Sequence, residues 1–384
     1  MCDIHESHKF SHSRGRHMVA AARHDAILRE LELRGSLRIS QLAGRMGVSA
    51  MTLRRDLAEL EERGLLMRAH GGAVSNAVAQ QQASAGERSG TTARRPVATI
   101  GMVTPSASYY FPQVIRGASD AARELNCRLV LGTTNYSERE ELRQAERLIA
   151  GGVDGLMITP RGGLVEGTEL HALLVESPIP VVLVERSVDE RHAGRLESVR
   201  SDHSYGAELA VRHLVDRGHR RIALAARDAA TTTGLIDGYE RSMARAGLGE
   251  EAFRWRLPEP KIGTDSTIDA LEAFLEECGR RRVTAAIMLG DVDSMAFADL
   301  AVERGIRIPE DFALVAYDDE FSAYAAVPLT AVAPPKHDLG DAALRLCFDR
   351  IRQREGAGHA VTRMALLPTL IERESTREST TPMF

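Results

Sequence analysis

The residues best placed to read another molecule lie in Val48-Ser49-Ala50-Met51-Thr52-Leu53-Arg54-Arg55-Asp56-Leu57. Gly47 supplies the backbone freedom for a tight turn. Ser49 is a good N-cap, because its hydroxyl accepts from a free N–H of the first helical turn. Leu53, Leu57 and Leu60 follow at i, i+4 and i+7 and share one apolar face. Ser49, Met51, Thr52, Arg54 and Arg55 are then left for a different surface. Small and flexible residues with two guanidiniums at the front of a helix suit a DNA major groove. Arginine bridges the acceptors of guanine in pairs or holds a phosphate. A solvated amphipathic helix has the same charged face, but the chain on both sides favours DNA. Asp56 would be repelled by phosphate, so its expected task is to steady a neighbouring arginine.

A helix at Ala26–Leu31, closed by Gly35, and a short one at Ile39–Met46 should precede this stretch. Gly64 ends the third helix. A short strand at Leu65–Arg68 and a turn at Ala69–Ala73 come next. Leu42-Ala43, Val48-Ser49, Thr52–Leu57, Leu60, Gly64 and Arg68-x-His70-Gly71-Gly72-Ala73 resemble the DeoR-type winged helix-turn-helix of bacterial repressors, from about Arg23 to Val74. The resemblance implies that Ser49–Arg63 is the recognition helix. Ser49, Met51, Thr52, Arg54 and Arg55 would then face DNA, with Arg68 on the wing near phosphates.

Beyond Arg95 the pattern becomes strand, helix, strand. Strands are expected at Val97–Val103, Arg128–Leu131, Gly155–Ile158, Pro180–Val184, Arg221–Ala225, Ala285–Leu289 and Phe312–Tyr317, with helices between them. Such repetition builds parallel sheets covered by helices on both faces. The rhythm restarts once, near His203, which predicts two lobes with a ligand cleft between them. The fold class is therefore α/β: a small winged helix-turn-helix, then two lobes with parallel sheets.

In open parallel sheets, ligands sit at the carboxyl ends of the strands. Tyr109-Tyr110-Phe111 follow the first strand of the body, in a chain with only 4% aromatic residues. One or two of these rings are expected to stack on a ligand, and at least one to pack beneath the lobe. Arg161, after the third strand, is either a ligand contact or a solvated side chain. Asp202 should cap a helix and contact ligand as well.

Gly117-Ala118, Gly152-Val153-Asp154-Gly155, Gly218–Ala223, Gly238-Tyr239, Gly305–Asp311, Tyr317-Asp318-Asp319, Pro328–Val332, Asp338-Leu339-Gly340 and Arg373-Glu374-Ser375 occur in an order that resembles the effector domain of LacI-type repressors. That domain is similar to periplasmic sugar-binding proteins, and the resemblance runs from about Pro96 to Ser375. It implies ligand contacts at Arg186, whose fork suits hydroxyls or a carboxylate, at Asp291, and at Asp318. Asp318 and Asp319 serve equally well as turn carboxylates. Three positions depart from the family: Glu185 replaces an Asp, Leu235 an Arg and Gly290 an Asn. The family's short minor-groove helix is missing as well. These losses cast doubt on a common hexose or pentose as ligand and make a less polar or unusual sugar possible.

Composition sets the outer limits. A chain of 384 residues with 43% hydrophobic and 27% charged residues can hold a small domain and a large one. Through Arg95 there are 15 basic and 10 acidic residues, against 34 and 44 in the remainder, so a basic head precedes an acidic body. Cys2, Cys127, Cys278 and Cys347 are scattered and read as reduced thiols. His5, His8, His12 and His17 have no ligand framework around them, so neither a metal nor a cofactor is expected. No apolar run spans a bilayer and no signal peptide is legible, which points to the cytoplasm and to no membrane partner.

The expected plan is an arm at 1–22, the DNA-binding domain at 23–74, a linker at 75–95, the effector and dimerisation domain at 96–375, and a tail at 376–384. The expected function is a DNA-binding regulator, a repressor controlled by a sugar or sugar derivative. Its partners would be operator DNA, the carbohydrate and a second copy of the chain, with a tetramer also open. No nucleophile elbow, phosphate loop or zinc pair is present, so an enzyme is not expected. DeoR-type heads also precede sugar-phosphate isomerase-like domains, which leaves a sugar-metabolising enzyme as the alternative. A transport-type solute-binding protein is a remoter one.

Overall fold

The computed structural model describes residues 24, 27, 36–38, 42–43, 48–62, 67–69, 72–74, 96–162, 164–186, 196–259, 266–353 and 359–377. The chain divides into two units, Met1–Arg95 and Pro96–Phe384. The expected arm and linker lie outside the described residues.

In the first unit, helix α1 (Ala50–Glu62) begins where Ser49 caps it, the Thr52 N–H donating to Ser49 Oγ at 3.0 Å. Leu53, Leu57 and Leu60 are fully buried and pack with Ile27 and Leu42. The apolar spacing thus faces inward as periodicity requires. Strands β1 (Ser36–Arg38), β2 (Met67–Ala69) and β3 (Gly72–Val74) form an antiparallel sheet in the order β1-β3-β2. The predicted turn at 69–73 is therefore shorter, because Gly72–Val74 pairs on both edges. A three-residue strand leaves no alternation to read, so only its pairing reveals it.

The second unit has two lobes. The first is built from β4 (Thr99–Thr104), α2 (Phe111–Glu124), β5 (Arg128–Thr133), α3 (Glu138–Ala150), β6 (Gly155–Ile158), α4 (Glu169–Val175), β7 (Val181–Val184) and β8 (Glu197–Ser201). The second comprises α5 (His203–Asp216), β9 (Ile222–Ala226), α6 (Thr232–Arg245), β10 (Phe253–Arg256), α7 (Ser266–Arg281), β11 (Ala285–Leu289), α8 (Asp291–Glu303), β12 (Ala313–Tyr317) and β13 (Thr330–Ala333). Helix α9 (Lys336–Arg352) then returns to the first lobe. Strand β14 (Arg363–Leu366) pairs with β8, and β15 (Thr369–Ile371) pairs with β13 in the second. The sheet orders are β14-β8-β7-β6-β4-β5 and β10-β9-β11-β12-β13-β15, with every pair parallel except β13–β15. The chain thus crosses between lobes at 201–203, 333–336 and 366–369.

The central strands of each sheet are buried on both faces, as parallel sheets require. In the first lobe, Met157 faces α2 and α9, while Leu156 and Ile158 face α3 and α4. In the second, Met288 and Ala316 face Phe274 and Phe297, while Ile287, Val315 and Tyr317 face Ala207, Val211 and Tyr239. Glycine lets two helix pairs touch. A Cβ on Gly340 would stand 1.9 Å from the Val114 carbonyl oxygen, and one on Gly238 would stand 2.0 Å from that of Ser204. Thr376, at the start of the expected tail, is buried and bonds His213 Nε2 and Thr330 Oγ1 at 2.7 Å. Residues 378–384 lie outside the described ones.

Candidate functional site

The cleft is lined by turns at the carboxyl ends of strands. Several hold their backbone in the left-handed region: Tyr109 (φ 56°) after β4, Glu185 (φ 54°) after β7, Gly290 (φ 89°) after β11, and Asp318 (φ 101°) and Asp319 (φ 54°) after β12. Non-glycine residues enter this region at a cost, and such outliers gather where geometry is imposed for a purpose.

Tyr109 reaches from the first lobe to the second. Its hydroxyl donates to Asp318 Oδ2 at 3.0 Å and accepts from the Asp291 N–H at 3.0 Å. Its ring lies 5.8 Å from that of Phe321. Burial, then the charge of Asp318, holds the Tyr109 phenol well above its usual range. Burial also raises the Asp318 carboxyl to about 7, against the lowering effect of the Tyr109 hydrogen bond. Desolvation disfavours the charged form here.

A second network runs along the hinge. Tyr110 donates to Glu185 Oε1, and the Ser201 N–H and hydroxyl donate to Glu185 at 3.0 and 2.6 Å. His203 Nε2 lies 3.4 Å from Glu185 Oε2, and its Nδ1 lies 3.1 Å from the Tyr317 hydroxyl. Burial alone would raise the Glu185 carboxyl, but His203, Ser201 and Tyr110 outweigh it and hold it at about 2. Lys336 Nζ bonds the Asp318 carbonyl and Glu320 Oε1 and lies 5.3 Å from the centre of the Tyr110 ring.

The structure brings Tyr109, Tyr110 and Asp318 together, has the helix cap at Asp202, one packed ring and the solvated Arg161 that the sequence allowed, and commits Asp291 and Arg186 to the backbone of neighbouring turns. Phe111 is buried in the core of the first lobe, 5.5 Å from Tyr110, because it opens α2 on that helix's inner face. The Asp291 carboxylate is fully buried and accepts from the N–H groups of Glu320, Phe321 and Ser322 and from the Ser322 hydroxyl. Those bonds fix the loop after β12, so Asp291 meets the cleft through its backbone N–H. Arg186 donates from Nε to the Pro160 carbonyl, from Nη1 to that of Glu185 at 2.6 Å and from Nη2 to that of Arg161 at 3.3 Å. Its fork holds two turns together, and burial pulls its pKa down. Arg161 is exposed, with its N–H on Glu141 Oε1 at 2.7 Å. Asp202 caps α5 by accepting from the Tyr205 N–H at 3.0 Å. Leu235, where the resemblance expects arginine, is fully buried in the second lobe's core.

Sequence reasoning missed His203, Tyr317, Lys336 and Arg227. Arg227 directly follows β9, and the rule of looking at strand exits would have found it. Its Nε and Nη2 pair with the two oxygens of Asp293 at 2.7 Å. On α1, Met51 and Arg55 are exposed, Thr52 is half-buried and its hydroxyl lies 2.8 Å from Ser49 Oγ. Arg54 lies on the same helix and Arg68 in β2. Among the described residues, no group of three or more His, Cys, Asp or Glu could hold a metal, and no helix is long and apolar enough to cross a membrane.

A reading helix with its small sheet, followed by two hinged parallel-sheet lobes around a cleft, defines an effector-binding transcription regulator. Residues 23–78 match the DeoR-like helix-turn-helix domain and residues 211–376 the periplasmic binding protein-like domain. The chain is 28% identical to the arabinose metabolism transcriptional repressor of Geobacillus stearothermophilus, over 88% of this chain and 90% of that one. It is 28% identical to catabolite control protein A of Priestia megaterium, over 74% and 83%. In fold it is similar to the regulator CelR in its cellobiose complex (TM-score 0.61, 24% identity, 88% and 99% covered). It is also similar to CcpA of Lactococcus lactis (TM-score 0.60, 24% identity, 73% and 99% covered). The chain is an effector-controlled transcription regulator that joins a DeoR-like helix-turn-helix domain to a periplasmic binding protein-like domain, similar to these repressors.

Proposed function

We propose that this regulator is a repressor whose affinity for operator DNA is set by a sugar or sugar derivative held in the cleft. The observation that carries this reading is the Tyr109–Asp318 bond across the cleft, with Phe321 beside the tyrosine ring. A carboxyl group with adjacent aromatic faces suits a ligand with hydroxyl groups on apolar ring faces. Ligand occupancy would favour one arrangement of the lobes over another, which is what couples the cleft to DNA affinity. Asp318, Tyr109 and Tyr110 are the effector contacts in this reading, with Asp202 beside the hinge. Ser49, Met51, Thr52, Arg54 and Arg55 read bases or phosphates from α1, and Arg68 contacts phosphate from β2. The active species is a homodimer, so the operator has two-fold symmetry, and it works in the cytoplasm. The division into 23–74 and a body starting at 96 fits this division of labour, with the body extended past 375 to include the buried Thr376.

The relatives point to the first probes, arabinose from the repressor's name and cellobiose from the complex. A binding site selected from random-sequence DNA should be a symmetric pair of half-sites. Its affinity should change at least fivefold with one of these sugars or another neutral sugar. Arg55→Ala should weaken the selected site by about 1–3 kcal/mol while sparing sugar binding. DNA affinity indifferent to every sugar that binds would end the reading.

A further inference from the structure

We infer that Arg227 is the hydrogen-bond donor with which the second lobe reads an uncharged, hydroxyl-rich effector. This rests on the proposal that the cleft binds a sugar, and narrows it to neutral sugars. The argument begins with register. Ala225, Met288 and Ala316 are paired across β9, β11 and β12. Two residues further along, Arg227, Gly290 and Asp318 therefore take successive places on the carboxyl edge. Asp318 is bonded to Tyr109 from the opposite lobe, so Arg227 stands on the same edge as that bridge, two strands away.

Arg227 is held in place with donor capacity to spare. Asp293 takes the Nε/Nη2 side of the guanidinium, both bonds at 2.7 Å. A guanidinium is a planar fork, so Nη1 keeps both hydrogens on the edges turned away from that carboxylate. Nη1 is buried and has no hydrogen-bond partner among the described residues. A buried donor without a partner carries the full loss of its hydration, so such groups signal a missing partner. At the neighbouring place, a Cβ on Gly290 would meet nothing within 4 Å. The resemblance expects an asparagine amide there and an arginine at Leu235. Arg227 supplies a donor to an edge that lacks both.

Charge selects the class of ligand. Asp293 already neutralises Arg227, Glu320 engages Lys336, and backbone carbonyls occupy the Arg186 fork. The other ionisable side chains here include Asp318, Asp291 and Glu185 with its partner His203, while the exposed Arg161 follows β6 in the opposite lobe. On the second lobe's edge an anionic sugar would meet acids and no uncommitted cation among these groups, whereas a neutral sugar needs only donors and acceptors.

The test uses the full chain and calorimetric titration with L-arabinose, D-ribose, D-glucose and cellobiose, against D-glucuronate and D-glucose 6-phosphate. At least one neutral sugar should bind, and neither anion should bind more tightly than D-glucose. Arg227→Lys keeps a cation beside Asp293 but removes the fork, and should weaken the bound sugar at least tenfold. Arg227→Leu combined with Asp293→Leu removes the buried ion pair as a unit and should do the same, which guards against misfolding of one variant. Preference for an anion, or unchanged affinity in the folded variants, overturns the inference while leaving an effector-binding cleft standing. Failure of all six sugars to bind overturns both this inference and the sugar reading.

Discussion

Asp318 has its ordinary pKa of 3.8 raised to about 7 by burial, so the folded protein holds a proton there that the unfolded chain has released above about pH 4. Its protonation therefore favours the folded state below its unfolded pKa, and that contribution is lost as pH rises through 7. The melting temperature of the full chain should fall between pH 5 and pH 8, and Asp318→Asn should flatten that slope in a calorimetric pH series. An unchanged slope in the variant would assign the dependence to other groups. Glu185 has the opposite sign. Held at about 2, it supports the fold at neutral pH and withdraws that support only as pH falls toward 2. The two carboxylates show what could be read in sequence at this scale. The strand-exit rule located Tyr109, and the resemblance located Asp318. Neither indicates that Asp291 is occupied by the N–H groups of residues 320–322, because those bonds come from a loop 29 to 31 residues away.

Among elements, the helices with strong periodicity and the central strands were legible. The short strands β1 and β3 were not, and nor were β8, β10 and the returning helix α9. Helix α9 follows the second lobe in sequence but packs on the first, through Leu339, Ala343 and Cys347. Its sequence marks a buried face without naming the sheet it covers. The contact depends on glycine. A Cβ on Gly340 would meet the Val114 oxygen at 1.9 Å, and one on Gly117 would meet the His337 oxygen at 1.9 Å. These neighbours are backbone and cannot rotate away. Gly340→Ala should therefore destabilise the protein by about 1–3 kcal/mol, as overpacking does, read as a lower midpoint in urea. A neutral result would mean that the two helices separate freely.

At the scale of the whole molecule, the two units carry separate cores. A fragment comprising 96–384 should accordingly unfold in one cooperative transition and keep the sugar affinity of the full chain. Loss of binding in the folded fragment would show that the head contributes to the cleft. The basic head and acidic body announce this division in the sequence. The crossings between lobes do not, since only Leu367 and Pro368 separate β14 from β15, yet the two strands belong to different sheets.

Those crossings have a mechanical consequence. The first and third are tied together, with the Asp202 N–H donating to the Leu366 carbonyl at 2.8 Å, and the second and third join the neighbouring strands β13 and β15. Plates fastened by adjacent straps along one seam swing like a door and resist sliding or twisting. Whatever molecule fills the gap, the body has one principal path of travel. Ligands would differ in where along that arc they stop it, so a partial agonist is a matter of angle rather than of a separate shape.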